Sequence, residues 1–325
     1  MTFKKSIALP GDIEGMDSMQ KVLYMQPIHK SGMDMLAEKY NVVVAPDTSR
    51  ETLMREIADA SVVISRLTPI DAELMAAGKQ LRAIAKHGVG LDNFDLEYAA
   101  AHGIEVLTTG DANSSTVAEH AMFSIGAMLK RIPMLDREMH KGNWASRDLP
   151  GACDARSKTL AILGFGRIGN CLAQMARFGF QMNVRVYDPF IPKEIVEAQG
   201  YTYCATVEDA VCGADVVSPH VPLTAETRHI VNRDRMFMMN RGGYVLNFAR
   251  GGIVDYEALQ EALDCGQIAG AALDTYDEEP PGTDHPLFKY ENVILSPHCG
   301  TFTEDSRRRM SMRLAEEIDR VLSGK

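Results

Sequence analysis

At 325 residues the chain is longer than one hydrophobic core usually covers, which predicts two domains, and with 46% of it apolar each can bury its own core. A net charge of -10 and a pI near 5.4 exclude nucleic acid and anionic membrane as partners, because either demands a basic face. No apolar run approaches the roughly 18 residues of a membrane span, the N-terminus has no signal-peptide core, and the six cysteines lack CxxC spacing, so a soluble cytoplasmic protein with reduced thiols and no metal site is expected.

About twenty residues without clear periodicity come first and read as an arm or leader. Then the apolar runs KVLYM, NVVVA, SVVIS, LRAIA and IEVLT alternate with helical patterns such as GMDMLAEKY and NFDLEYAAAHG. Runs without in/out alternation suit strands buried on both faces, and strands joined by helices imply a parallel sheet. From Asn113 a longer helical pattern, NSSTVAEHAMFSIGAMLKRI, leads into a polar, aperiodic stretch from Asp136 to Lys158. The strand and helix rhythm resumes with TLAILGFGRIG, NVRVYD, ADVVSPH, GYVLNFA, AGAALD and NVILSPH. A last helix, opened by TFTE as a capping box at Thr301 and Glu304, follows the final strand and returns to the first half. The fold class is α/β, with two doubly wound parallel-sheet domains: residues 1–110 completed by 299–325, and residues 111–298.

LAILGFGRIGN places Gly164, Gly166 and Gly169 in GxGxxG spacing between a strand and a helix. The first glycine permits the turn, the second lets backbone amides approach a pyrophosphate, and the third lets the helix pack on the strand. Asp188 ends the next strand, where a carboxylate binds ribose hydroxyls and repels a 2′-phosphate, so NAD is favoured over NADP.

Polar groups follow three later strands of the same half: Arg250 in NFARGGIVD, Asp274 and Glu279 in ALDTYDEEPP, and His298 in LSPHCG. Loops at the carboxyl ends of such strands line one crevice. Reducing a 2-oxoacid needs a cation for the carboxylate and a proton donor for the new alkoxide. Arginine suits the first role and histidine the second, with Glu279 as the group that orients and charges the imidazole. Each has a plainer reading as well: a turn brace, a solvated acid, a packing histidine.

Together with KHGVGLDNFD, STVAEH and HVPLTAET, these motifs make the chain resemble the D-isomer-specific 2-hydroxyacid dehydrogenase family over roughly residues 60 to 310, nearest to its phosphoglycerate dehydrogenase and hydroxypyruvate or glyoxylate reductase members. The resemblance implies a flavodoxin-like substrate domain, a Rossmann NAD-binding domain, and Arg250, Glu279 and His298 as catalytic residues. It implies that backbone amides of His87, Gly88, Val89 and Gly90 hold the substrate carboxylate. Arg167 and Ile168 would meet the cofactor phosphates, Asp188 the ribose, and Asp274 the nicotinamide amide. Thr227 and Ala249 would touch the cofactor, and His220, Val221, Pro222 and Val117 would line the same cleft. The expected partner is a small 2-oxoacid or 2-hydroxyacid, and a homodimer is implied, with residues 113–158 as its interface. Lys86, Phe248 and Cys299 depart from the family's usual residues. Lys86 and Arg66 are either solvated or contact a phosphorylated substrate, whereas His120 and Trp144 read as packing residues. Alternatives on the same scaffold are a formate- or phosphite-type dehydrogenase and an NAD-sensing, co-repressor-like interaction protein.

Overall fold

The computed structural model describes residues 19–324, so all but the last two residues of the expected arm lie outside the described residues. The chain forms two compact units, one running to Asn113 and resuming at Glu304, the other spanning Ser114–Thr303.

In the first unit, β1 (Lys21–Tyr24), α1 (Lys30–Ala37), β2 (Asn41–Val44), α2 (Arg50–Ile57), β3 (Ala60–Ser65), α3 (Ala72–Ala77), β4 (Ala83–Lys86), α4 (Leu96–Ala101) and β5 (Glu105–Thr108) alternate along the chain. The strands pair in parallel in the order β2-β1-β3-β4-β5, the flavodoxin-like order. All five follow the apolar runs of the sequence. Central β3 is buried at every position, which is why ASVVIS shows no alternation. The helices start where short polar side chains stop the strand rhythm: Ser49, Asp71 and Asp95 accept hydrogen bonds from the N–H groups of Thr52, Leu74 and Tyr98.

The second unit opens with α5 (Ser114–Leu129) and α6 (Ile132–His140). Helix α6 runs beyond Asp136 into the stretch read as aperiodic, and a short 3-10 turn, Trp144–Asp148, follows it. Trp144, read as a packing residue, is 67% exposed, with the Arg147 guanidinium 5.7 Å from its ring centroid. There follow β6 (Thr159–Leu163), α7 (Arg167–Gln174), β7 (Asn183–Tyr187), α8 (Lys193–Ala198), β8 (Thr202–Tyr203), α9 (Val207–Val211), β9 (Val216–Pro219), α10 (Arg233–Met238), β10 (Gly243–Asn247), α11 (Tyr256–Asp264), β11 (Ile268–Leu273) and β12 (Val293–Leu295). The parallel sheet has the order β12-β11-β10-β9-β6-β7-β8. Its order reverses between β6 and β9, the switch point at which a doubly wound sheet opens a crevice. Two apolar clusters cover the faces of this sheet, one with α9, α10 and α11 and the other with α5 and α7.

The last helix, α12 (Glu304–Ser323), belongs to the first unit. Leu314, Ala315, Ile318 and Val321 join Val22, Tyr24, Leu36 and Val62 in one core cluster. Burial on this scale stabilises by about 1.5–3 kcal/mol for each large side chain. Tyr40 and Lys39 hydrogen bond to Asp319, and Arg82 donates to the carbonyl of Leu322, fixing the helix end. The capping box expected at Thr301 and Glu304 does not form: Glu304 is itself the first helical residue, and its carboxylate meets His29 Nε2 at 3.0 Å.

Helix α12 reaches α1 at Gly32, whose N–H donates to Ser311 Oγ at 3.1 Å. A Cβ on Gly32 would lie 2.2 Å from the Ser311 carbonyl oxygen, a backbone atom that cannot step aside cheaply. Gly32→Ala is therefore expected to destabilise the first unit by about 1–3 kcal/mol, the usual cost of overpacking, visible as a lowered first transition in calorimetry. An unchanged transition would show that this approach does not seat the helix.

Candidate active site

Every polar group singled out in the second half of the sequence follows the carboxyl end of a strand in the second unit. After β6 the chain turns at Gly164, with φ +97°, and a Cβ there would strike the carbonyl oxygen of His220 at 2.7 Å. A Cβ on Gly169 would lie 2.2 Å from the Gly164 oxygen. These two glycines are dictated by the protein's own packing. Gly166 is not: it precedes α7 at φ −70°, an ordinary conformation, and nothing lies within 4 Å of where its Cβ would stand. The cradle at Gly166 is open space over a helix N-terminus, which suits a phosphate group approaching the backbone. Arg167 is exposed as the first residue of α7, and Ile168 packs partly against the neighbouring apolar cluster.

Asp188 stands after β7, and its carboxylate accepts from Phe165 N at 2.7 Å and Phe190 N at 2.9 Å. The acid is thereby tied to the glycine loop. Across the switch point, His220 donates its N–H to the Leu163 carbonyl and pairs through Nε2 with Ser218 Oγ at 2.9 Å. Its Nδ1 is buried without a partner among the described residues, and burial pulls its pKa down to about 4, so this ring is neutral at physiological pH. Val221 is half-buried and Pro222 exposed. Thr227, expected to contact the cofactor, spends its hydroxyl proton on the Pro222 carbonyl at 2.6 Å and accepts from Thr224 N, so it folds its own loop. Val117 is buried in the apolar cluster of α5 and α7.

Three loops converge beside β10, β11 and β12. Ala249 and Arg250 lie in a turn held by buried Asn247, whose amide donates to the Arg250 carbonyl at 2.9 Å and to Tyr256 Oη at 3.1 Å. Gly251 passes so close to the next loop that a Cβ would lie 2.1 Å from the Tyr276 carbonyl oxygen. In that loop Glu279 accepts from Tyr276 N at 3.0 Å through Oε1 and meets His298 Nδ1 at 2.6 Å through Oε2. Burial alone would raise the Glu279 pKa, but the hydrogen bonds from His298 and the Tyr276 amide, with the charges of His298 and Arg250, hold it below its ordinary value. The carboxylate is thus ionised at neutral pH, and Arg250 is near enough to feel it. With Nδ1 engaged, His298 presents Nε2 from a side chain that is 45% exposed.

The backbone at His298 is left-handed, with φ 49°, uncommon for a residue with a side chain. Asp274 holds it there. This carboxylate, 3% exposed, accepts from Cys299 N and Gly300 N, each at 2.8 Å, and from Ser296 Oγ at 2.6 Å. Tyr276 Oη adds a bond to the Ser296 carbonyl at 3.0 Å. Asp274 was expected at the nicotinamide amide; three of its acceptor positions serve the loop of His298. Sequence reasoning passed over Asn247, Tyr276 and Ser296, although Ser296 and Tyr276 sit two residues from His298 and Asp274 in the quoted motifs. Phe248, the departure next to this turn, meets the His120 ring edge-on at 5.0 Å, and His120 packs as expected. Burial and Asp274 push the Cys299 thiol up, away from a nucleophile. All six cysteines are free, and no metal-binding cluster occurs among the described residues.

In the first unit, His87 and Gly88 donate their N–H groups to the carbonyls of Ser65 and Lys86, which leaves Val89 and Gly90 as the amides of the loop that donate to no backbone carbonyl among the described residues. The Gly88 carbonyl is fixed by Thr109, through N–H at 3.0 Å and hydroxyl at 3.1 Å. Buried His87 has its pKa lowered to about 4, by burial first and then by the charges of Arg66, Arg307 and Lys86. Lys86 is not simply solvated: Nζ donates to the Arg66 carbonyl and to Asn93 Oδ1, both at 2.7 Å.

The sequence profile of the D-isomer specific 2-hydroxyacid dehydrogenase NAD binding domain matches residues 122–300. The chain is 38% identical to D-3-phosphoglycerate dehydrogenase of Methanocaldococcus jannaschii over 94% of its own length but only 58% of that protein's, so it spans little more than half of this relative. It is 36% identical to glyoxylate reductase of Thermofilum pendens, covering 94% of this chain and 92% of that one. The crystal structure of the TT0316 protein from Thermus thermophilus superposes with a TM-score of 0.84 at 33% identity, over 94% of this chain and 98% of the other. Among the described residues no helix is long and apolar enough to cross a membrane.

The contrast among the three glycines yields a direct test. Gly166→Ala is expected to leave the melting temperature nearly unchanged, since an N-cap substitution of this kind costs at most about 1 kcal/mol, while weakening NADH about tenfold or more, the scale of one lost charge-assisted contact. Fluorescence titration of NADH reads the second effect; equal affinity in variant and parent would mean that the cradle does not face the pyrophosphate.

Proposed function

The chain belongs to the D-isomer-specific 2-hydroxyacid dehydrogenase family, and from that premise we propose that it is an NAD-dependent oxidoreductase interconverting a small D-2-hydroxyacid and its 2-oxoacid. Bound NADH supplies the hydride. The observation that carries the reading is the 2.6 Å contact between His298 Nδ1 and an ionised Glu279, which leaves Nε2 as the one imidazole nitrogen facing outward.

In reduction, His298 Nε2 gives its proton to the carbonyl oxygen as the carbon receives hydride; in oxidation it takes the hydroxyl proton back. Glu279, by engaging Nδ1, orients the ring and leaves Nε2 for the substrate. His87 and His220 are held neutral, each at about 4, and are poor sources of that proton. Arg250 grips the substrate carboxylate and polarises the carbonyl, a role for which guanidinium is suited because it keeps its charge and binds in a planar fork. Val89 and Gly90 are the N–H donors that the family resemblance implies for a substrate carboxylate. Gly166, Arg167 and Ile168 receive the pyrophosphate, and Asp188 the ribose, with NAD preferred because a carboxylate repels a 2′-phosphate.

The names of the relatives support glyoxylate, hydroxypyruvate or 3-phosphohydroxypyruvate as the oxoacid. A homodimer through residues 113–158 is part of the same proposal, supported by Phe123, Ile132, Trp144 and Leu149, which this segment leaves 45–71% exposed. Light scattering is expected to return twice the chain mass, and a monomer would remove the dimer. The free cysteines support a reducing, cytoplasmic compartment.

Oxidation of NADH followed at 340 nm, with glyoxylate, hydroxypyruvate, pyruvate and 3-phosphohydroxypyruvate in turn, tests the activity. At least one is expected to turn over, and His298→Asn is expected to lower that rate about 10²-fold or more while sparing NADH binding. Asparagine tolerates the left-handed backbone at this position. Full activity in the variant would reject His298 as proton donor; NADH binding with no turnover of any oxoacid would favour a sensor over an enzyme.

A further inference from the structure

Lys86 ends β4 and Asn93 stands in the loop after it; both reach the neighbouring loop, Arg66–Thr68, which follows β3. Lys86 Nζ donates to the Arg66 carbonyl and to Asn93 Oδ1, both at 2.7 Å. Asn93 Nδ2 in turn donates to the Leu67 carbonyl at 3.0 Å and to the Thr68 carbonyl at 3.1 Å. Three consecutive carbonyls are thus held by one pair of side chains. Gln26, after β1, completes the frame: its Oε1 accepts from Arg66 N at 3.1 Å, and its Nε2 donates to the Thr68 hydroxyl. The Asn93 carbonyl also accepts the N–H of Ile70 at 2.9 Å, so the two loops are joined through the main chain as well.

Core packing does not explain why Arg66–Thr68 is held so firmly. Leu67, its one apolar residue, is 65% exposed, so the loop gains little from burial. Fixing a backbone costs conformational entropy, and here side-chain hydrogen bonds offset it. A loop ordered in this way, without a core of its own, suits the presentation of groups to a ligand at set positions. Its neighbour after β4 carries Val89 and Gly90, whose N–H groups donate to no backbone carbonyl among the described residues. The Lys86 and Asn93 bonds therefore tie the exposed loop to the loop that offers those amides. Two of the three Lys86 donors serve this purpose, which takes them away from direct contact with a substrate anion.

We propose that Lys86 and Asn93 are positioning residues: acting as one clamp, they hold the Arg66–Thr68 loop as a fixed wall beside the amides of Val89 and Gly90, where a 2-oxoacid binds. The ammonium charge strengthens both Lys86 bonds, and the carboxamide of Asn93 supplies an acceptor for the lysine together with two donors for the carbonyls. The inference rests on the reading that these loops receive the oxoacid, and a mimic that binds without reacting keeps the two apart.

The probe is oxamate, an unreactive amide analogue of a 2-oxoacid, titrated calorimetrically into the full-length protein saturated with NADH. Saturable binding is expected. Lys86→Met and Asn93→Ala are each expected to weaken oxamate about tenfold, the scale of a lost charge-assisted hydrogen bond. The double variant is expected to be at most about threefold worse than the weaker single variant, because both break the same clamp. Lys86→Arg, which can donate to the same two oxygens, is expected to bind oxamate within about threefold of the parent. NADH affinity is expected to be unchanged in all four, and with any oxoacid that turns over KM is expected to rise while kcat holds, a split that general loss of structure does not produce. Absence of oxamate binding to the parent, unchanged affinity in both single variants, or no rescue by Lys86→Arg overturns the proposal. Losses that multiply in the double variant overturn it too, since Lys86 would then meet the ligand independently of Asn93, as does a parallel loss of NADH affinity. Oxamate binding without turnover of any oxoacid counts against the oxidoreductase reading alone.

Discussion

One buried carboxylate, that of Asp274, sets the conditions for everything proposed at the carboxyl ends of β10, β11 and β12. A charge with 3% exposure would be costly to bury alone. It is offset by two backbone N–H groups and a serine hydroxyl, all from the five residues Ser296–Gly300, each such bond to a charged acceptor contributing on the order of 1.5–3 kcal/mol. The same bonds tie Ser296–Gly300 to one carboxylate and so hold His298 at φ 49°, a left-handed, non-glycine backbone that costs roughly 1–3 kcal/mol and persists only where its surroundings over-determine it. The unusual backbone turns its imidazole toward Glu279, and the proton chemistry follows from the geometry.

The same strands divide their labour by direction. Their carboxyl ends release the chain into short loops rich in glycine and small residues, where main chain comes close to main chain, as Gly251 does to Tyr276. Near their amino ends Tyr244, Ala269 and Ile294 line a groove whose other wall is the segment of Arg131, Met134 and Arg137. A sheet buried on both faces is stiff, so groups at the two ends keep fixed positions without touching one another.

Much of this was legible in the sequence because the strands are buried on both faces and therefore read as unbroken apolar runs; the five of the first sheet and six of the seven in the second stand out in this way. The seventh, Thr202–Tyr203, is two residues long and carries no period to detect. Arg250, Glu279 and His298 were visible because each follows such a run and each has chemistry that a 2-oxoacid needs. What spacing did not reveal was which polar atoms would be spent internally. Thr227, Asp274 and the amides of His87 and Gly88 all stand where a ligand contact was expected, yet each has a donor or acceptor committed to the protein's own loops. Such commitments depend on residues brought together by the fold, as Ser296 and Cys299 are to Asp274 across more than twenty positions. Trp144 failed for the converse reason: a large aromatic is usually buried, and nothing in GNWAS signals that this one stands in solvent.

The three glycines of GFGRIG sharpen the distinction between what a fold needs and what a ligand needs. Gly164 and Gly169 are explained without any cofactor, by a left-handed φ and by backbone atoms that would collide with a methyl group. Gly166 has neither reason, and its presence costs the chain some conformational entropy with no return in packing. Its absent side chain leaves room above the first turn of α7, where N–H groups without helical partners point outward. Room beside unused donors is a property that serves an anion and not the protein alone, and this is why the middle glycine speaks for a bound pyrophosphate more strongly than the two whose place in the turn is sterically compelled.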